Sequence, residues 1–380
     1  MRGTDYKRTL GQGNHKGFSR SHAFFARIHL DPWLLFLLIT LAATGLSILY
    51  SASGQEMGMV KRQAIHFGIG FTALIICAQI PPRTFQLLAP WGYLFGCIAL
   101  IGVLVSGVGA KGAQRWLEIP GLPRFQPSET VKLVLPMMVA WYMARNPTPP
   151  PLSVLAKAAC IILLPTALIL KQPDLGTSLL ISASGIMVLY FAGMSWRLIG
   201  TLIGTAAACA PLMWFFVMHD YQKQRVLTFL NPESDPLGSG WNIIQSKIAI
   251  GSGGIDGKGF LQGTQSQLEF LPESHTDFII AVLAEEMGLI GVLLLLSLYL
   301  AIIARCLMLS AHSETLFGRL LAGSLSATFF TYVFVNIGMV SGILPVVGVP
   351  LPMVSYGGTS VVSLLVAFGL IMSMATHHKR

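Results

Sequence analysis

Apolar residues recur in this chain as runs of about 18 to 22 positions, the length at which an α-helix crosses the roughly 30 Å hydrocarbon core of a bilayer. The pattern predicts an all-α, polytopic transmembrane bundle of about ten spans, over residues 33–51, 63–80, 86–107, 128–145, 153–171, 175–193, 197–218, 277–308, 316–342 and 355–376. An even count returns the chain to the side on which it began. Arg2, Lys7, Arg8, Lys16, Arg20 and Arg27 precede the first span, and Lys379 and Arg380 follow the last. Retention of Lys and Arg inside then places both termini in the cytoplasm. Residues 1–28 form a basic tail without the apolar core or small-residue cleavage site of a secretory signal, so the first span is expected to direct insertion and 29–380 to form one membrane domain.

The two long polar connections, about 108–128 and 219–276, fall on the extracytoplasmic side, the larger between spans seven and eight. Connections longer than about 12 to 15 residues are usually functional or disordered. The second has too much glycine and apolar content for a plain linker, and is expected to fold back onto the membrane.

Composition sharpens this picture. Of 380 residues, 53% are hydrophobic and 11% charged, against roughly 25% charged in a soluble domain. The net charge of +9 is not accompanied by a basic helix with interleaved aromatics or by zinc-finger spacing, which argues for a membrane surface and against nucleic acid. Cys77, Cys97, Cys160, Cys209 and Cys306 lie in or beside apolar runs, where free cysteine acts as a small hydrophobe, so no disulfide framework is implied.

Charge is distributed unevenly. Most of the sixteen acidic residues, among them Glu118, Glu129, Asp174, Glu233, Asp256, Glu273 and Asp277, map to the outer side or its interface. The same side carries Lys111, Arg115, Arg124, Lys171, Lys223, Arg225, Lys247 and Lys258. Two explanations stand for these cations: solvation in long loops that translocate regardless of charge, or an anionic ligand such as a lipid pyrophosphate clamped by Arg and Lys.

Ionisable groups inside spans are costly and point to function. Glu129 and Lys132 sit three apart near the start of span four, on one helix face, where they can pair or serve a ligand. Asp174, between spans five and six, is either an N-cap of the sixth helix or a carboxylate that positions a cationic or hydroxyl-rich group. Asp277 stands where the loop enters span eight. It is either a capping aspartate or a general base at the lipid–water boundary, made more basic by partial desolvation. Below it Ala281, Ala284 and Gly288 form a small-residue stripe that permits close helix packing or leaves room for a ligand. Glu285 and Glu286, roughly 12 Å deeper along a continuous helix, need partners or protons.

Several chemistries are excluded. The glycine-rich run 251–259 lacks the first glycine and the final Ser or Thr of a phosphate-binding loop. There is no paired-cysteine or His-Glu-x-x-His metal set, no Gly-x-Ser-x-Gly turn, and no Asp-x-Asp pair for a metal-bound nucleotide sugar. A soluble nucleotide donor is not expected.

Over residues 29 to 376 the chain resembles the SEDS family (shape, elongation, division and sporulation), and within it the rod-shape-determining branch. The resemblance rests on the runs 29–32, 124–132, 172–177, 240–254, 271–278 (Leu-Pro-Glu-Ser-His-Thr-Asp-Phe) and 350–358. It implies a peptidoglycan glycosyltransferase of the bacterial inner membrane that polymerises lipid II during cell elongation, beside a class B penicillin-binding transpeptidase. The resemblance makes Asp277 the catalytic aspartate and carries outer-cavity roles to Arg124, Glu129 and Lys132, and further to Asp174 and Arg225. His275 of the same motif joins the substrate-binding set. No cofactor is implied, and a divalent cation is left open. The expected step is a single displacement: Asp277 takes the proton of an acceptor C4 hydroxyl as it attacks the donor's anomeric carbon and inverts it. Arg124, Lys132 and Arg225 are the candidate clamp for the leaving pyrophosphate. Two other classes fit the same charges, a lipid II flippase and a non-catalytic scaffold for the transpeptidase.

Overall fold

A computed structural model describes residues 28–110, 113–118, 125–216, 218, 220–231, 233, 239–267 and 273–377. Each of the ten predicted intervals overlaps a helix: α1 (Pro32–Ala52), α2 (Met57–Gln79), α3 (Pro82–Ser106), α4 (Pro127–Met143), α5 (Leu152–Leu170), α6 (Leu175–Phe191), α7 (Trp196–Phe216), α11 (Ile279–His312), α12 (Leu316–Val340) and α13 (Gly358–Thr376). Six of them (α1, α3, α5, α11, α12 and α13) are long and apolar enough to cross a membrane.

Local chemistry explains the helix starts. Proline occupies the first turn of α1, α3 and α4, where its missing N–H costs nothing. Asp31 caps α1 by accepting from the Leu34 N–H at 2.8 Å, and Thr315 caps α12 by accepting from Gly318. The inner helices are α12 and α13, each with 61% of its most apolar stretch buried, against 33% for α3. Large apolar side chains such as Phe36, Leu87, Trp91, Leu293 and Phe334 point outward, as expected where the surrounding solvent is lipid. Polar side chains join the inner helices, as in the Ser324 hydroxyl that donates to the Ser184 carbonyl at 2.7 Å.

The bundle has two distinct ends. At one, His29 stacks on His377 with ring centroids 3.6 Å apart, and Arg305 grips Asp31 through two hydrogen bonds of 3.0 and 2.6 Å. The first and last described segments therefore meet. At the other end the Ser274 hydroxyl donates to the Ala52 carbonyl, and the Tyr356 N–H donates to the His275 carbonyl at 2.9 Å. Asp277 lies at this second end, across the bundle from the first and last described segments.

Three sequence expectations change. The fold is mostly helical but not wholly so, because Val108–Ala110 (β1) and Ala113–Trp116 (β2) pair as a short antiparallel hairpin. The connection 219–276 is not loop throughout: it holds α8 (Asp220–Leu230), α9 (Ser239–Gly253) and the single turn α10 (Thr264–Gln267), and α9 packs on α11. Finally, α11 is not a continuous helix. Gly288 adopts φ 63, ψ −162, and breaks it.

That break has a partner. The Lys258 and Gly259 N–H groups donate to the Glu285 and Glu286 carbonyls at 3.0 and 2.9 Å, and the Leu289 and Ile290 N–H groups donate to Gly254 and Ile255. The backbone groups freed at Gly288 are thus taken up by the glycine-rich run 254–259, which satisfies the requirement that polar backbone within apolar surroundings be paired. The contact is backbone to backbone, so a Cβ on Gly253, Gly257 or Gly288 would overlap main-chain atoms of the other segment. Two of the small residues below Asp277, Ala284 and Gly288, thus lie in close contact with the glycine-rich run. Gly288→Ala combines a conformation essentially confined to glycine with this overlap, and is expected to cost at least about 3 kcal/mol. Thermal unfolding in detergent, with recovery of monodisperse protein, checks it.

Candidate active site

The buried pair predicted on α4 is present. Lys132 Nζ lies 2.6 Å from Glu129 Oε1, and the Ser363 hydroxyl of α13 donates to Glu129 Oε2 at 2.7 Å. The Lys132 ammonium also stands 5.3 Å from the ring centroid of Tyr332 on α12, a cation–π distance. The Tyr332 hydroxyl is buried and interacts with the Lys132 ammonium. Asp174 is near enough to act weakly on the same tyrosine electrostatically.

Two cavities adjoin Glu129. One, about 470 Å³, runs between α2, α3, α4 and α13 and is lined by His66, Phe85, Gln126, Thr359 and mostly apolar side chains. The other, about 30 Å³, holds Glu129, Lys132, Tyr332 and Ser363 among Leu325, Phe329 and Phe368. The larger suits an apolar chain with a polar end at Glu129.

Asp174 does what an N-cap does: it accepts from the Thr177 N–H at 3.2 Å and from the Thr177 hydroxyl at 2.9 Å. Asp277 does not occupy the cap position. Helix α11 begins at Ile279 with Phe278 as its cap residue, and Asp277 sits half-buried in the preceding turn, residues 273–278. It lines neither cavity above. His275, two residues earlier, is half-buried, with its ring edge toward Tyr356 at 6.4 Å. Arg124 lies outside the described residues. Arg225 falls within α8, and its side chain too lies outside what is described.

The turn that carries Asp277 is fixed from several sides. The Ser355 hydroxyl donates to the Thr276 carbonyl, and the Thr276 hydroxyl donates to Glu273 Oε2 at 2.7 Å. Residues 351–355 are themselves buried, held by the Gln63 amide on the Ser355 carbonyl and by the Tyr299 hydroxyl on the Pro352 carbonyl at 2.7 Å. Glu285 and Glu286 also have partners. Lys258 lies 2.7 Å from Glu285, with the Thr264 hydroxyl and the Gln265 N–H, and the Ser51 hydroxyl donates to Glu286.

Sequence inspection passed over Ser363, Tyr332 and Gln63. The signal was available: hydroxyls and amides inside apolar runs also need partners, and screening only for charge misses them. Among the described residues, no three His, Cys, Asp or Glu side chains gather as a metal cage.

Residues 31–380 match the profile of the cell cycle proteins FtsW, RodA and SpoVE. The chain belongs to that family, the SEDS proteins. It is 54% identical over 356 residues to the peptidoglycan glycosyltransferase MrdB of Escherichia coli K12, covering 94% of this chain and 96% of that one. A probable peptidoglycan glycosyltransferase FtsW of Geobacter metallireducens is 36% identical, with 92% and 95% covered. Among solved structures, a chain of a peptidoglycan synthase complex superposes with a TM-score of 0.77 at 34% identity, covering 90% of this chain and 96% of its own. The rod shape determining protein RodA of Thermus thermophilus superposes at 0.68 and 29% identity, with 90% and 95% covered. This SEDS chain is thus matched along nearly its whole length, with both Glu129–Lys132 and the Asp277 turn inside the matched region.

Proposed function

We propose that this protein is a peptidoglycan glycosyltransferase that polymerises lipid II at the outer face of the bacterial inner membrane during cell elongation, with a class B penicillin-binding transpeptidase as its partner. The observation that carries the activity is 54% identity to the E. coli glycosyltransferase over almost the entire length of both chains. The chain crosses the membrane ten times with both termini in the cytoplasm, which puts the Asp277 end of the bundle outside.

In this reading the larger cavity takes the isoprenoid of one substrate, and its polar end at Glu129 and Lys132 faces the pyrophosphate. Asp277 removes the proton from the acceptor C4 hydroxyl while that oxygen attacks the anomeric carbon. The bond to pyrophosphate breaks with inversion, and the departing charge is taken up by Lys132 with Arg124 and Arg225. Asp174 and His275 complete the substrate-binding set. A desolvated carboxylate is a stronger base than one in water, which suits proton removal from an alcohol.

The test is purified full-length protein, with its transpeptidase partner, in detergent with labelled lipid II. Extension into glycan chains of defined β-linkage supports the proposal. Lipid movement across a sealed bilayer without extension in detergent identifies a flippase instead, and neither activity identifies a scaffold.

A further inference from the structure

Asn336 lies near the C-terminal end of the apolar helix α12 and is completely buried. Its amide nitrogen donates to two main-chain carbonyls, that of Asp277 at 2.9 Å and that of Val349 at 2.7 Å. Both partners can only accept, which settles the orientation of the amide, because the flipped form would set its oxygen against two carbonyl oxygens. Its own oxygen is buried with no hydrogen-bond partner. An amide placed in an apolar helix with half its capacity unmet is costly, so the two donated bonds are what it is there to make.

Those bonds tie together the turn that carries Asp277 and the segment 345–350. Gly348 belongs to that segment, and a Cβ built on it would lie 3.6 Å from the Asp277 carboxylate. It has φ +77 and so favours glycine. One helical turn before Asn336, on the same face of α12, is Tyr332 beneath Lys132. A single rigid helix thus references Asp277 to the lysine cluster, about 6 Å along the axis at 1.5 Å per residue.

We propose that Asn336 is a positioning residue for the reaction: by holding the Asp277 and Val349 carbonyls, it sets the Asp277 carboxylate against the Gly348 segment and at a fixed distance from Lys132. This inference rests on the proposed role of Asp277. Misplacement of a reacting group by about 1 Å costs on the order of 10²-fold in rate, while substrate contacts made elsewhere are unaffected.

The experiment compares Asn336→Asp, Asn336→Leu and Asp277→Asn in the full-length protein, by kcat and KM for lipid II polymerisation at matched amounts of folded, monodisperse enzyme. Asn336→Asp keeps the shape but sets a carboxylate against two carbonyl oxygens. The expected result is a fall in kcat of about 10- to 100-fold with KM within about threefold. Wild-type kcat in folded Asn336→Asp or Asn336→Leu overturns the inference, since a merely structural amide would change the yield of folded protein and not the turnover of each molecule. If neither variant folds, Gly348→Ala decides: lowered kcat with KM retained supports the positioning role, and unchanged kcat overturns it. Activity retained in Asp277→Asn overturns the catalytic assignment itself, an outcome distinct from an inactive Asp277→Asn beside fully active Asn336 variants.

Discussion

Asp277→Asn is expected to lower glycan polymerisation by about 10²- to 10⁴-fold, the contribution of the general base proposed above, and to leave the fold intact. The second half follows from the geometry. Helix α11 begins at Ile279 with Phe278 as its cap residue. The turn is held through main-chain groups: the Asp277 carbonyl by Asn336, the Thr276 carbonyl by Ser355, and the His275 carbonyl by the Tyr356 N–H. Asparagine keeps all of these and the volume of the side chain, while the negative charge, one acceptor oxygen and the ability to take a proton are lost. The check pairs a lipid II extension time course with thermal unfolding in the same detergent. An unchanged melting temperature with no chain extension is the expected outcome. A variant that still polymerises moves the base to another residue.

The second large effect is expected at Glu129 and Lys132, and here stability and activity separate. Glu129 is 9% exposed and accepts from both Lys132 and Ser363, beside Leu133, Phe329 and Phe368. Removing one member leaves a charge without its counterion in apolar surroundings, a loss of about 3–5 kcal/mol. Glu129→Leu and Lys132→Ala should each lower the melting temperature markedly and abolish polymerisation. The pair Glu129→Leu with Lys132→Met replaces both charges with hydrophobes of similar volume, which is often neutral or stabilising. It should melt near the parent and yet remain inactive, because the cation proposed to meet the departing pyrophosphate is gone. Recovery of both melting temperature and activity in the double variant would make the pair purely structural.

The two predictions use residues of different legibility. Glu129 and Lys132 stand three apart in a span, so helical periodicity alone placed them on one face, and the cost of isolated charge in lipid required a partner. The 2.6 Å contact follows. For Asp174 a cap and a positioning carboxylate were both open, and it makes the hydrogen bonds of a cap. For Asp277 the cap and the base were both open; the helix begins after Phe278, which takes Asp277 out of the cap position and leaves its role as base a proposal. That starting point depends on how the 350–358 segment packs beneath the turn, a contact distant in sequence. Arg124 and the side chain of Arg225 lie outside the described residues, so their part in the clamp rests on the resemblance alone.

What the sequence determined by itself was where the ten long apolar helices lie, though not α8 to α10, because hydrophobic length and period depend only on local composition, and the need for partners wherever a charge entered a span. It also carried the family, through motifs dispersed from residue 29 to 358. Tertiary structure decided which groups met. It paired the glycine-rich run 254–259 with the break at Gly288, gave Glu285 its lysine, and hung the Asp277 turn on Asn336, an amide some sixty positions away. None of these could be read locally, since a hydrogen bond between distant segments is specified by the packing of whole helices and leaves no periodic mark on either partner.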